Sequence, residues 1–417
     1  MNRLLIKHWI AIGICAACLC GCGDKEDDPA GGNNGNDGET PPVEAPTYFS
    51  TDFMRGSTMC FAQYMLNLGL KYRENGDEKN PYASLKEHGA NIVRLQLNFE
   101  AFDPINGTVV DWASWNRVLA DAKTAYAHKL DVMLTLKPDA DIFHENQSTD
   151  HNRVPKAWRS MSESKMGDAL YQWVYESLER LAQAGIYPRV VAVGNEVNVE
   201  FLAPVTNYKW DIARHARLLK RGFQAVRDYA EKYNPEVKSL LHLAGPDAIE
   251  WYVARDMKNN GCTDFDIVGV SWYPGEGIGH EMGTGSYATF AGICSALKAQ
   301  GYEFMILETA RTFVHGRGDD CNNSYNDPAW SDQTDANTSP AGQRKWLAAL
   351  AKEVKAAGGI GVITWGTESL PDDGRGKLYT YPVESWGHGS TWENNSYWDF
   401  THNNNLHEGI DWMRDVQ

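Results

Sequence analysis

Short apolar, β-branched runs alternate with helix-length amphipathic patterns eight times along this chain, and few folds accommodate that alternation. The runs fall at 55–59, 91–97, 131–136, 189–194, 239–244, 266–272, 304–307 and 361–365. Helical patterns follow them at 82–89, 112–128, 165–184, 212–232, 248–259, 287–300, 340–357 and 406–414. A run such as Val132-Met133-Leu134-Thr135-Leu136 is almost continuously apolar, as expected of a parallel strand buried on both faces. Gly89, Gly185 and Gly301 end helical patterns shortly before the next strand, where glycine accepts a left-handed cap without strain. Eight strand–helix units in order make a single (β/α)8 (TIM) barrel, α/β in class. A doubly wound open sheet shows the same alternation, but no glycine-rich phosphate loop follows the first strand and the Gly-x-Gly spacings are isolated.

The barrel is expected over residues 47–417. Ahead of it, Arg3 and Lys7 precede a short apolar run at 9–19, too short for a permanent membrane span, which predicts a signal peptide. That run ends in Leu19-Cys20-Gly21-Cys22, which is similar to a bacterial lipobox, so residues 1–21 would be removed and Cys22 acylated. Lys25-Glu26-Asp27-Asp28 then either resembles the surface-export signal of Bacteroidetes lipoproteins or forms a solvated charge run. The expected location is the outer membrane, at the cell surface. Residues 22–46 are Gly, Asn, Asp, Glu and Pro with almost nothing apolar, and such a segment cannot offset its ordering entropy. It is expected to be a flexible tether.

A formal net charge of −16 argues against nucleic acid as a partner, because phosphate binding needs a basic face. Fifteen Trp and nineteen Tyr fit a carbohydrate partner better, since flat aromatic faces suit sugar rings, although most such residues pack cores. Cys15, Cys18, Cys20 and Cys22 lie in the signal region. Cys60, Cys262, Cys294 and Cys321 lack metal-ligand spacing, and one disulfide among them is open in an oxidising compartment.

In a barrel of this kind the active site gathers at the C-terminal ends of the strands. The fourth strand ends Val193-Gly194-Asn195-Glu196 and the seventh ends Ile306-Leu307-Glu308-Thr309. A carboxylate at the end of an apolar strand needs a partner, a hydrogen bond or a proton, and strand two supplies Arg94. Two such carboxylates suit glycoside hydrolysis with retention, one donating a proton to the leaving oxygen while the other attacks the anomeric carbon. Glu196 is expected to be the acid/base and Glu308 the nucleophile, with Arg94 beside Glu308 and Asn195 on the sugar 2-hydroxyl. Tyr273 and Trp365 are candidate sugar-stacking or hydrogen-bonding groups, with Trp158, Trp272 and Trp392 behind them.

These strand ends are similar to those of clan A of the glycoside hydrolases, and from about Met54 to Phe400 the chain resembles family 53, the arabinogalactan endo-β-1,4-galactanases. The resemblance is carried by Leu85-Lys86-Glu87-His88-Gly89-Ala90-Asn91, Gly185-Ile186-Tyr187-Pro188, Val193-Gly194-Asn195-Glu196-Val197, His242-Leu243, Gly269-Val270-Ser271-Trp272-Tyr273-Pro274 and Ser390-Thr391-Trp392-Glu393-Asn394. It implies the same roles for Glu196, Glu308 and Arg94, adds His242 to the sugar-binding set, and implies a β-galactan substrate with no required cofactor. Some bacterial members bind calcium after strand seven, where this chain offers Asp319, Asp320 and Asn323 but lacks an aspartate and the histidine of the pattern, so a solvated polar loop is the expectation. Other departures lie where sugar is contacted: Lys137-Pro138-Asp139-Ala140-Asp141, Gln96, Leu202-Ala203-Pro204, Tyr273-Pro274-Gly275-Glu276 and Trp365-Gly366-Thr367. They leave open a clan A hydrolase for another β-linked glycan, or a surface glycan-binding protein without catalysis.

Overall fold

Eight parallel strands, β1 to β8, close on one another: Met54–Thr58, Ile92–Asn98, Asp131–Lys137, Val190–Val193, Lys238–Ala244, Ile267–Ser271, Glu303–Glu308 and Gly361–Thr364. Each pairs with its sequence neighbours, and β1 pairs with both β2 and β8 to seal the barrel. This architecture is seen in a computed structural model that describes residues 46–100, 114–143, 149–207, 209–273, 282–324, 338–371 and 390–417. The signal peptide, Cys22 and nearly all of the expected tether lie outside those residues. Among the described residues, no helix is long and apolar enough to cross a membrane.

Alternation along the strands divides the core in two. Met54, Ile92, Met133, Val190, Ala192, Leu240, Ile267, Met305, Leu307 and Ile363 fill the inside of the barrel. The intervening residues, such as Val93, Leu95, Val132 and Leu134, face the helices. Those helices begin where the sequence offers a cap. The side chains of Asn80, Ser162, Asp211, Thr289 and Ser339 each accept a backbone N–H from the first turn, and Pro81 and Pro340 occupy an early helical position. Helix Ile212–Tyr233 buries His215, Ala216, Leu219, Gly222, Phe223, Val226 and Tyr229, a spacing of three and four that lays one face on the barrel. The expected left-handed caps are present, with φ of 100°, 74° and 90° at Gly89, Gly185 and Gly301.

The last element departs from expectation. Instead of an α-helix over 406–414, Asn403 and Asn404 turn the chain at positive φ into strand Asn405–Leu406, and 3-10 turns cover Glu408–Val416. Ile410, Met413 and Val416 are buried there at a period of three, which suits the 3-10 repeat and not 3.6. The segment Ile249–Met257 is a π-helix, while the hairpin Ala140–Phe143 with Thr149–Arg153 is too irregular in pattern to be read from sequence. All four cysteines outside the signal region, Cys60, Cys262, Cys294 and Cys321, are buried free thiols.

Two buried acids couple stability to pH. Burial pushes the Asp121 carboxyl to about 8 although Tyr82 donates to it at 2.5 Å, and it likewise pushes Glu368 to about 8. Each folded value lies above that of an unfolded carboxyl, so the folded state holds the extra protons. Their contribution is therefore complete below about pH 4 and is lost as pH rises towards 8. Each group can contribute at most about 1.4 kcal/mol of slope per pH unit across that window. Asp121→Asn and Glu368→Gln, which mimic the protonated forms, should flatten the fall in Tm between pH 5 and 8 by several degrees. Thermal unfolding of parent and variants across that range checks this, and equal slopes would refute it.

Candidate active site

The two acids arrive at the barrel mouth by different local devices. Beyond β4 the backbone turns sharply, with φ of 82° at Gly194 and 50° at Glu196. A Cβ at position 194 would come within 2.4 Å of Val197 Cγ1, so both conformation and space require glycine there. A non-glycine residue at positive φ stores strain, and at Glu196 the surroundings hold it in place. The Glu196 N–H donates to His242 Nδ1 at 3.3 Å, the Val197 N–H to the His242 carbonyl at 3.0 Å, and Tyr252 Oη to the Val197 carbonyl at 3.1 Å.

Glu308 is aimed by a bulge. Along β7, Met305 and Leu307 face the barrel interior, so strict alternation would turn Glu308 outward. Val270 pairs with Ile306 but Ser271 pairs with Glu308, and the extra residue between them turns the glutamate inward. Arg94 Nη1 then donates to Glu308 Oε1 at 2.5 Å, and Tyr273 Oη to Oε2 at 3.2 Å. Arg94 is fully buried, and it spends Nε on Thr135 Oγ1 at 2.9 Å and Nη2 on Asn195 Oδ1 at 2.8 Å. One guanidinium thus fixes the nucleophile candidate and the residue preceding the acid/base candidate. Burial, together with the charges of Glu308 and Glu196, raises the Tyr273 phenol well above its usual range, so it stays a donor.

A carboxylate oxygen of Glu196 and one of Glu308 lie within 4.8 Å of each other. A ring nitrogen of His242 falls within the same radius, which gives the outline of a metal site. The donors do not fit one: His242 Nδ1 accepts from Glu196, its Nε2 donates to Ser271 Oγ at 3.0 Å, and Arg94 already occupies Glu308. Those bonds define the Nε2–H tautomer. His242 is fully buried, and through these bonds it positions the backbone of Glu196.

The aromatic candidates divide. Trp365, at the end of β8, lies with its ring centroid 5.5 Å from the Arg94 guanidinium. Trp392 meets Trp365 edge-on at 6.4 Å and Tyr273 at 5.8 Å, so the structure brings all three to the carboxylates. Trp158 and Trp272 go elsewhere. Trp158 is buried in the core against Phe99 at 4.4 Å, and Trp272 packs on Phe290 and Trp346 in the helix layer. Strand alternation explains the second case, because Ser271 faces His242 and its neighbour must face out.

The loop after β7 brings Asp319 and Asn323 towards the buried Glu393, while Asp320 is exposed and stays apart. Asp319 accepts the Cys321 and Ser390 N–H groups, each at 2.8 Å, and Asn323 Nδ2 donates to Glu393 Oε1 at 3.3 Å. These bonds tie the loop together through its own side chains.

Sequence reasoning flagged Lys137, Asp139 and Asp141 only as departures. In the structure, Lys137 Nζ donates to Asp139 at 2.5 Å, Asn152 Oδ1 at 3.0 Å and Asp141 at 3.3 Å. Asn152 Nδ2 in turn donates to the Asn195 carbonyl at 3.2 Å, so the cluster supports the acid/base turn from below. The inward alternation of Met133, Thr135 and Lys137 was the available signal.

Residues 54–413 match the sequence profile described as "Glycosyl hydrolase family 53". The chain is 30% identical over 363 residues to an arabinogalactan endo-beta-1,4-galactanase of Cellvibrio japonicus, covering 85% of this chain and 89% of that protein. It is 26% identical to an endo-beta-1,4-galactanase of Bacillus subtilis, over 82% of this chain and 76% of the relative. Among solved structures, the Ignisphaera aggregans GH53 catalytic domain superposes with a TM-score of 0.69 at 25% identity, covering 90% of this chain and 99% of that one.

Proposed function

This chain belongs to glycosyl hydrolase family 53, and on that premise we propose that it cleaves β-1,4-galactan internally, with retention of configuration. The observation that carries the mechanism is the approach of Glu196 and Glu308 to within 4.8 Å. Retaining enzymes hold their carboxyl groups roughly 5–5.5 Å apart, whereas inverting enzymes leave roughly 6.5–9.5 Å for a water molecule.

In the first step a Glu308 oxygen forms a bond to the anomeric carbon as the glycosidic C–O bond breaks, and the leaving oxygen takes the proton of Glu196. In the second, Glu196 removes a proton from water, whose oxygen displaces Glu308 from the anomeric carbon and restores the Glu196 acid and the Glu308 carboxylate. Glu308 accepts from a guanidinium and a phenol, the pattern of an ionised carboxylate held in one orientation. The reaction needs no cofactor.

Galactan as substrate is supported by the galactanase relatives and the shared strand ends; the altered loops around Lys137 and Gln96 do not displace the paired acids. A pure binding protein has no need of a carboxylate pair braced by Arg94. Incubation with a panel of β-linked glycans tests the reading. Galactooligosaccharides are expected from galactan, and product only from another polymer would refute the substrate. Binding without product would refute the chemistry.

The lipobox-like Leu19-Cys20-Gly21-Cys22 supports a further reading, that the enzyme is exported and anchored at the outer membrane through Cys22. Labelled fatty acid should enter the wild type and be lost in Cys22→Ala; equal labelling would refute the anchor.

A further inference from the structure

Among the described residues, three large hydrophobic side chains are exposed: Phe49, Val199 and Trp210. Phe49 precedes β1 and belongs to the face opposite the active site. The other two follow Glu196 in the same β4 loop. Scattered exposed apolar residues need no explanation, but an exposed tryptophan in the loop that carries Glu196 does.

Topology places Trp210 at the catalytic face. It immediately precedes Asp211, the N-cap of helix Ile212–Tyr233, and a helix that follows a barrel strand starts at the strand's C-terminal end. Trp251 reaches the same face in the first turn of the π-helix after β5. The two rings lie 6.4 Å apart at 57°. Trp210 is held from one side by buried His215, at 4.7 Å and 66°, and remains 44% exposed.

The pair is continuous with the acid. Trp251 packs edge-on against Tyr252 at 5.5 Å, and Tyr252 donates to the carbonyl of Val197, next to Glu196. Val199, whose N–H donates to the Glu196 carbonyl at 3.0 Å, adds exposed apolar surface to the same loop. Tyr273, Trp365 and Trp392 gather around Glu308 and Arg94 on the side of β6 to β8, where the proposed mechanism puts the attacked sugar. On the side of Glu196 lie the loops of β4 and β5, which carry Trp210 and Trp251 and would receive a chain leaving past that acid.

We propose that Trp210 and Trp251 form a stacking platform for the leaving-group segment of the glycan, several sugars to the reducing-end side of the cleaved bond. This rests on the reading of the chain as a β-1,4-galactanase. Galactan is suited to such a surface, because the C–H face of a galactose ring lies flat on an aromatic ring while its hydroxyls stay in water. The platform acts only on a substrate long enough to reach it.

The test compares two substrates on the full chain: β-1,4-galactan, and an aryl β-1,4-galactotrioside whose leaving group is nitrophenol and which has nothing beyond the cleavage point. In Trp210→Ala the ratio of kcat/KM on galactan to that on the aryl substrate should fall about fivefold, through KM. Trp210→Phe should restore most of it, and Trp251→Leu should lower the ratio in the same direction. An unchanged ratio overturns the platform, whether both rates hold or both fall together through loss of fold. A parent enzyme that leaves galactan intact overturns the substrate reading and the platform with it; an active parent with an unchanged variant ratio overturns the platform alone.

Discussion

Glu308→Ala should abolish turnover, by about 10⁴-fold or more, on every substrate regardless of leaving group. Removing the nucleophile removes the covalent intermediate, and a better leaving group cannot replace the missing bond to carbon. The structure adds a second expectation. Arg94 is fully buried and donates to Glu308 Oε1, so truncation leaves a guanidinium facing a void. Breaking a buried ion pair from one side costs about 3–5 kcal/mol, so Glu308→Ala should stay folded but melt measurably lower. Glu308→Gln keeps the shape and an acceptor oxygen for Arg94, and should be equally inactive with a smaller loss of Tm. Azide added to Glu308→Ala enters from the vacated face and should give the α-galactosyl azide from an aryl substrate. Near-normal turnover by either variant would remove Glu308 from the mechanism.

The same residue shows where sequence reading succeeds and where it stops. A carboxylate at the end of an apolar strand is visible in Ile306-Leu307-Glu308, because nothing but chemistry or a fixed partner keeps it there. Its direction is not visible. Leu307 and Glu308 are adjacent, so period-two alternation allows only one of them to face inward, and the bulge opposite Ser271 turns both. The barrel itself was legible because eight strands buried on two faces produce long apolar runs. The two-residue strands at Arg73–Glu74 and Asp77–Glu78 have no period to read.

Tryptophan is the residue type for which sequence position says least. Trp272 and Tyr273 are neighbours at one strand end, yet one joins the helix layer and the other donates to Glu308. Trp158, another of the aromatic candidates, lies in the core. His242 enters the sugar-binding set only through the family resemblance of His242-Leu243. Its two ring nitrogens meet the Glu196 N–H and Ser271 Oγ, partners from other strands that the sequence does not announce. Lys137 illustrates the converse: a buried lysine looks out of place in β3 until Asp139, Asp141 and Asn152 are seen around it.

Glu196→Ala should differ from Glu308→Ala in kind, and the difference lies in the leaving group. General acid catalysis is worth roughly 10²–10⁴-fold, and the loss should be of that size on galactan, whose leaving sugar alkoxide needs a proton. On an aryl galactoside with a nitrophenol leaving group the first step needs little protonation, so the glycosyl–Glu308 intermediate should still form. Its hydrolysis lacks the general base, so the intermediate should accumulate and appear as a burst of nitrophenol followed by a slow steady state. Azide needs no base, and should accelerate that steady state and give the β-galactosyl azide, the opposite anomer from Glu308→Ala. The backbone geometry makes the substitution informative. The N–H of residue 196 is held by His242 and the Val197 carbonyl by Tyr252, so the turn keeps its anchors when the carboxyl is gone. Equal losses on galactan and the aryl substrate, with no burst, would mean that Glu196 supports the loop and carries no proton.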